Sequence, residues 1–261
     1  MANVLTKAYR KAVTFDSEMH TILRFAGNAC AGQAQSCQVL DVGCGYGRNL
    51  RPLQEAGFKV MGVDANAEVV KANVAAGLPC ITSEQFAATR CIYDVILMSH
   101  VIEHFAPLDL VPFMDGYLDR LRPGGRLIIA TPLFTHYFYD DFDHIKPYYP
   151  IGIMMVFGGE RAQIRYYARN QLVLDDVWIR RSPLLAAHTR GRYLSGWRSR
   201  PRQAVELVSA LVFRLSFGGI GQGTGWVGVF RKAGTAADRH QLVPASEEVA
   251  NESGQPDAFR K

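Results

Sequence analysis

At 261 residues, with 48% hydrophobic and 20% charged side chains, the chain has the make-up of one globular domain, or one domain with an insertion, long enough to bury a full core. Its formal net charge of +5 permits an anionic partner without demanding one. No window offers the 18 or so uninterrupted apolar residues of a membrane span, and no cysteine lies in a C-x-x-C pair or at zinc spacing from a histidine, which argues against a spanning protein and a zinc module.

Residues 1–35 read as a leading helical segment. Met1 to Arg10 lacks the apolar core of a signal peptide. Asp16-Ser17-Glu18 can cap a helix whose apolar members are Met19, Ile22, Leu23 and Ala26, ending near Gly27. The cysteines at 30, 37, 44, 80 and 91 are expected to be reduced thiols of a cytoplasmic protein.

Residues 36–233 form the main domain. Val39 to Val42 is a short apolar, β-branched run, the pattern of a strand buried on both faces. Gly43, Gly45 and Gly47 follow at once, and a helical pattern then covers 47–56. A strand feeding a helix through glycines sets free backbone N–H groups and a positive dipole end beside the strand's carboxyl end. A dinucleotide fingerprint, G-x-G-x-x-G, needs glycine at 48, where Arg48 stands. An acid, Asp64, closes the next strand-like run, 58–63, where it can accept both hydroxyls of a ribose. The pattern therefore favours a nucleoside with no pyrophosphate requirement.

Strand and helix continue to alternate: helix 66–76, a short strand at Cys80-Ile81, strand 93–98, helix 107–121 and strand 125–130. Gly57 and Gly77 sit where helices stop, and Pro123-Gly124-Gly125 makes a turn into the fifth strand. Strands at 172–179 and 226–230 complete the set. The predicted fold class is α/β: a doubly wound, seven-stranded, mostly parallel sheet, with a basic and helical insertion at 181–222 before the last strand. Residues after 234 read as a disordered tail.

Four blocks, VLDVGCGYG at 39–47, VMGVDAN at 60–66, YDVILMSHVIEHF at 93–105 and LRPGGRLIIATP at 121–132, resemble class I S-adenosylmethionine-dependent methyltransferases in order and spacing. The resemblance implies S-adenosyl-L-methionine as cofactor, with Gly43, Cys44, Gly45 and Gly47 along its amino-acid and ribose portions. It places Asp41 near its amino group, Asp64 on the ribose, and Ala65, Asn66, Glu84 and Ser99 around the remainder. A leading helix closing over the cofactor follows by analogy only.

Methylating a hydroxyl requires removal of its proton, for which histidine is the usual base. His144, in the acceptor region 133–150 after the fifth strand, is the first candidate and His104 the second. Asp143 adjoins His144, although Asp140 or Asp141 could orient it equally well. His100 and His104 are expected to share one helical face with Glu103. No metal is expected, since magnesium prefers oxygen ligands. Seven aromatics between Phe134 and Tyr149 suit a sugar ring or an aromatic acceptor. The expected reaction is O-methylation of a sugar or glycan-like acceptor, with a quinone-like or lipid acceptor, or a non-catalytic scaffold, as alternatives.

Arg180 to Arg202 holds seven arginines and no acid, followed by a helix at 204–215. No RNA-binding motif accompanies it, so nucleic acid ranks low. Peripheral contact of 180–217 with an anionic membrane surface, at the inner face of a cytoplasmic membrane, fits the composition better. A homodimer built on the same helix is the bland counterpart.

Overall fold

A computed structural model describes residues 18–158, 168–184 and 200–235. Asp16 and Ser17, the arginines from 190 to 198 and the tail beyond Thr235 lie outside the described residues. The strands are Gln38–Val42 (β1), Lys59–Asp64 (β2), Cys80–Thr82 (β3), Tyr93–Ser99 (β4), Leu121–Pro132 (β5), Asn170–Ser182 (β6) and Gln222–Thr235 (β7). They form one seven-stranded sheet in the order β3-β2-β1-β4-β5-β7-β6. β1 to β5 run parallel, and β7 is antiparallel to both β5 and β6.

The helices are Glu18–Ala29 (α1), Leu50–Glu55 (α2), Ala67–Ala75 (α3), Ser83–Ala88 (α4), Pro107–Leu118 (α5), Pro150–Phe157 (α6) and Arg200–Leu215 (α7). Side-chain alternation along the central strands feeds two cores. Leu40, Val42, Ile96, Met98, Leu127 and Ile129 join α4, α5 and α6 on one face. Val39, Val95, Leu97, Ile128 and Ala130 join α1, α2 and α3 on the other. Both faces are therefore covered, which is why these strands read as continuous apolar runs. Burying a side chain such as Ile96 contributes roughly 1.5–3 kcal/mol.

Several expectations shift. α1 continues past Gly27 to Ala29 because its apolar stripe, Ile22, Phe25 and Ala26, remains packed on the sheet. The bend at Gly124, φ +72°, lies inside β5, where pairing with β4 slips between Tyr93 and Val95. β6 and β7 are longer than their apolar centres, so Arg180 and Arg181 belong to a strand. The thiol expectation is corrected for one pair: Cys30 and Cys37 form a disulfide, Cα atoms 5.8 Å apart. A one-turn 3-10 helix, Ala34–Ser36, folds the chain back from α1 to β1 and so joins them, which no spacing rule signalled.

Trp226, fully buried in β7, donates its indole N–H to the Tyr148 carbonyl at 2.8 Å and so ties the sheet to the loop after β5. Trp226→Phe should keep the apolar contact but strand that carbonyl. The expected loss is about 1–3 kcal/mol of unfolding free energy, read by chemical denaturation.

Candidate functional site: a crevice at the carboxyl ends of the strands

The crevice begins at the turn between β1 and α2. Gly43, Gly45 and Gly47 all adopt positive φ, +67°, +50° and +76°. A Cβ on Gly43 would fall 2.6 Å from Val101 Cγ2, and one on Gly47 would fall 2.5 Å from Leu78 Cδ1. A Cβ on Gly45 would meet nothing within 4 Å, so of the three only this glycine has open space where a side chain would stand. The turn also delays the helix to Leu50, three residues later than the pattern suggests.

Asp64 holds this turn from β2. Its Oδ2 accepts from Gly45 N–H at 2.9 Å and its Oδ1 from Asn66 N–H at 2.9 Å. Each carboxylate oxygen retains acceptor capacity for a diol. Asn66 in turn caps α3 by accepting from Glu68 N–H, and Ala65 is exposed beside it. Asp41 lies fully buried under the turn. Its Oδ1 is 3.5 Å from Asn49 Nδ2, and its Oδ2 has no hydrogen-bond partner among the described residues. Burial, only partly offset by Asn49 and reinforced by repulsion from Asp64, pushes the Asp41 carboxyl up from 3.8 to about 7. A displacement that size corresponds to roughly 4 kcal/mol against the charged form.

The other sequence-derived candidates divide. Cys44 points away from the crevice, its Sγ 3.3 Å from Cys80 Sγ in the core, so only its backbone faces a ligand. Ser99 ends β4 beside Ala130 and is buried. Glu84 is exposed in the first turn of α4, which the Thr82–Gln85 capping box fixes.

His100 and His104 do not share a helical face. His100 adopts φ +57°, and Ile102–His104 is a single 3-10 turn, so the two rings part. His100 Nε2 meets Glu18 Oε1 at 3.0 Å, and its Nδ1 lies 3.2 Å from Glu103 Oε1. Burial opposes its charge, but the bonds and charges of Glu103 and Glu18 prevail and raise its pKa to about 9. Glu18, only 2% exposed, also pairs with Arg48 Nη2 at 3.4 Å and Arg180 Nη1 at 2.5 Å. Burial would raise the Glu18 pKa. The hydrogen bond from His100, with the charges of His100, Arg180 and Arg48, reverses that and holds it at about 2. Glu18 read as a helix cap; nothing in its local sequence marks it as the meeting point of three distant cations.

His104 turns instead toward the loop after β5. Its Nδ1 donates to the Asp143 carbonyl at 3.1 Å, and the His144 Nδ1 donates to the Phe138 carbonyl at 2.7 Å. The rings lie 5.1 Å apart. Each Nδ1–H is thereby spoken for by a backbone carbonyl, which leaves Nε2 as the acceptor. The carboxylate near His144 is that of Asp141, 3.7 Å from Nε2. Asp143 contributes its carbonyl to His104, and its side chain is exposed. Ligand atoms of Glu103, His104 and His144 lie within 4.8 Å of one another, a grouping with the chemistry to take a divalent ion.

A mostly parallel sheet with a glycine-lined turn, a diol-accepting acid and Arg48 where a dinucleotide fingerprint needs glycine fits a nucleoside cofactor rather than a dinucleotide one. The methyltransferase domain family matches residues 11–173, over half of the chain. Among curated relatives, the ubiquinone biosynthesis O-methyltransferase of Mesorhizobium japonicum is 36% identical over 105 residues, covering 37% of this chain and 41% of that protein. That of Bartonella bacilliformis is 32% identical over 127 residues, covering 46% and 47%. The match thus spans less than half of these relatives. A SAM-dependent methyltransferase from Archaeoglobus fulgidus shares the fold with TM-score 0.51 at 18% identity, over 82% of this chain and 95% of that one. The plantazolicin methyltransferase does so with TM-score 0.51 at 13% identity, over 89% and 91%. The chain belongs to the methyltransferase domain family, and the four blocks of its sequence resemble the class I, S-adenosylmethionine-dependent members.

The residues present fit that cofactor. The unsatisfied Asp41 Oδ2 suits its ammonium group, Asp64 its ribose diol, and the open side of Gly45 its approach to the backbone. An ammonium prefers the ionised carboxylate, so below pH 7 a proton on Asp41 competes with it. Affinity for S-adenosylhomocysteine should therefore rise up to about tenfold per pH unit on approaching 7 and then level off. The ligand-free protein should lose stability over the same rise, because its folded state keeps a proton that the unfolded chain gives up above 3.8. Asp41→Asn should flatten both trends, read by calorimetry and thermal melts.

Proposed function

We propose that the chain is an S-adenosylmethionine-dependent O-methyltransferase whose acceptor is a hydroxylated aromatic, quinone-precursor-like compound. The observation that carries the reading is the pair of imidazoles, His104 and His144, each with its Nδ1 engaged by a backbone carbonyl beyond β5. Such histidines present a proton acceptor to a hydroxyl arriving at the crevice. The similarity to ubiquinone biosynthesis O-methyltransferases favours a quinone precursor over a sugar. The exposed aromatics Phe134, Tyr139 and Phe142, the last 99% exposed, are compatible with either ring. An apolar cavity of about 360 Å³ supports the aromatic or lipid reading further; Leu110, Val111, Tyr148, Ile153 and Phe157 line it and Lys146 borders it.

Bound along Gly43–Gly47, the cofactor would supply an electrophilic methyl group on a sulfonium. Asp41 and Asp64 would fix its two polar ends, and the acceptor region 133–150 would exclude water and align the hydroxyl. The hydroxyl proton passes to His144 Nε2, with Asp141 stabilising the imidazolium that results. His104 packs against His144 and holds it in place. With catechol as test acceptor, His144→Ala should lower kcat by about 10²–10⁴-fold with cofactor affinity retained. His104→Ala should cost less. Normal turnover by both variants would remove the base assignment. Activity that vanishes with EDTA and returns with magnesium or zinc would reassign Glu103, His104 and His144 as ligands.

We also infer peripheral contact with an anionic membrane surface. No helix among the described residues is long and apolar enough to cross a membrane. α7 nevertheless exposes Val205, Val208, Leu211 and Leu215, followed by Phe217 and Ile220; Arg214 lies in the same helix, and Arg181 from β6 donates to the Gly219 and Gly221 carbonyls just after it. Apolar side chains beside arginines are what docking on anionic headgroups requires. The protein should float with anionic but not neutral vesicles. A concentration-dependent dimer that ignores vesicles would assign the same face to a second copy instead.

A further inference from the structure

A second cavity, about 250 Å³, lies beyond β5 with Thr135, Phe138, Asp141, His144, Arg180 and Thr224 among its walls. Its chemistry is polarised. His144 and Asp141 provide a proton acceptor backed by a carboxylate, while Arg180, from β6, provides a cation. The Arg180 side chain is 20% exposed and is lodged deliberately by its neighbours. Its Nη2 donates to the Thr224 carbonyl at 3.1 Å, and a Cβ on Gly225 would fall 2.7–2.9 Å from the guanidinium. The strand is pared to glycine where the arginine crosses it. Two guanidinium donors meet Glu18 and Thr224, out of five that the group carries.

Arg180 shares Glu18 with Arg48 and His100, so one buried carboxylate serves three basic groups. At the other end of the cavity, Asp141 would repel an anionic substituent and so sets its direction.

We propose that Arg180 is a subsite for an anionic substituent of the acceptor, a carboxylate on its aromatic ring, which turns the hydroxyl to be methylated toward His144. Glu18 engages the same guanidinium, so an acceptor carboxylate competes with it. The proposal rests on the aromatic-acceptor reading above. It adds that the acceptor is a hydroxybenzoate rather than a neutral phenol, and that Arg180 sets the preference.

Calorimetry on the full chain saturated with S-adenosylhomocysteine, titrated with 3,4-dihydroxybenzoate and with catechol, tests it. The benzoate should bind at least about tenfold more tightly, the scale of one charge-assisted contact. Arg180→Met should erase that preference, and Arg180→Lys should retain part of it. Glu18→Gln, which keeps an oxygen for Arg180 to donate to but removes the competing charge, should raise the ratio of benzoate to catechol affinity several-fold. Equal affinity of the two compounds, binding of neither, or a preference that survives in Arg180→Met would overturn the proposal. So would an Arg180→Met variant whose loss falls on S-adenosylhomocysteine instead, for the arginine would then serve the cofactor. The binding readout needs no turnover. A carboxylate preference with no methylation of either compound would keep the subsite and dismiss the aromatic O-methyltransferase reading.

Discussion

One hydrogen bond governs the geometry of the crevice: the Gly45 N–H to the Asp64 carboxylate, 2.9 Å, between the turn after β1 and the end of β2. It bends the backbone through positive φ at three glycines and keeps the turn from winding into helix before Leu50. The same carboxylate steadies Asn66, which caps α3. Asn73, from that helix, returns to the turn and donates to the Gly45 carbonyl at 2.7 Å. The cofactor side is thus a closed loop of backbone and side-chain bonds. Among the described residues it leaves the buried Asp41 Oδ2 without a partner and spare acceptor capacity on Asp64.

Around the rim, electrostatics replaces backbone bonding. Glu18 draws α1, the glycine turn, the end of β4 and β6 to one buried carboxylate. A buried charge is costly to desolvate, and this one is held ionised only because three cations share it. Such a cluster adds little net stability over apolar packing, but removing any one partner leaves the others uncompensated. It is therefore a device for positioning, and it fixes where Arg180 and His100 stand relative to the acceptor cavity.

The acceptor side is organised by carbonyls. Backbone oxygens of Phe138 and Asp143 set the tautomers of His144 and His104, and Glu103 O accepts from Ile145 and Lys146 N–H. The loop after β5 is thereby folded against the 3-10 turn after β4, and two histidines forty residues apart in the chain come into ring contact. Tyr148, which donates to the Phe105 carbonyl, and Trp226 pin the far end of that loop.

The strand–helix alternation, the glycine turn, Asp41 and Asp64 were legible from the residues alone. Each depends on neighbours in sequence: apolar alternation within a strand, glycine where φ is positive, an acid at a strand's end. Hence the sheet, the order of its elements and the glycine turn follow from local pattern. The placement of His100, the role of Glu18, the Cys30–Cys37 bond and the choice of Asp141 over Asp143 beside His144 did not. These depend on contacts between residues 82, 162, 7 and 3 positions apart, and on a left-handed backbone at His100 that no helical periodicity anticipates. Local preferences determine which elements form and where the chain turns; only packing decides which distant charges meet, because their attraction is realised after the elements have docked.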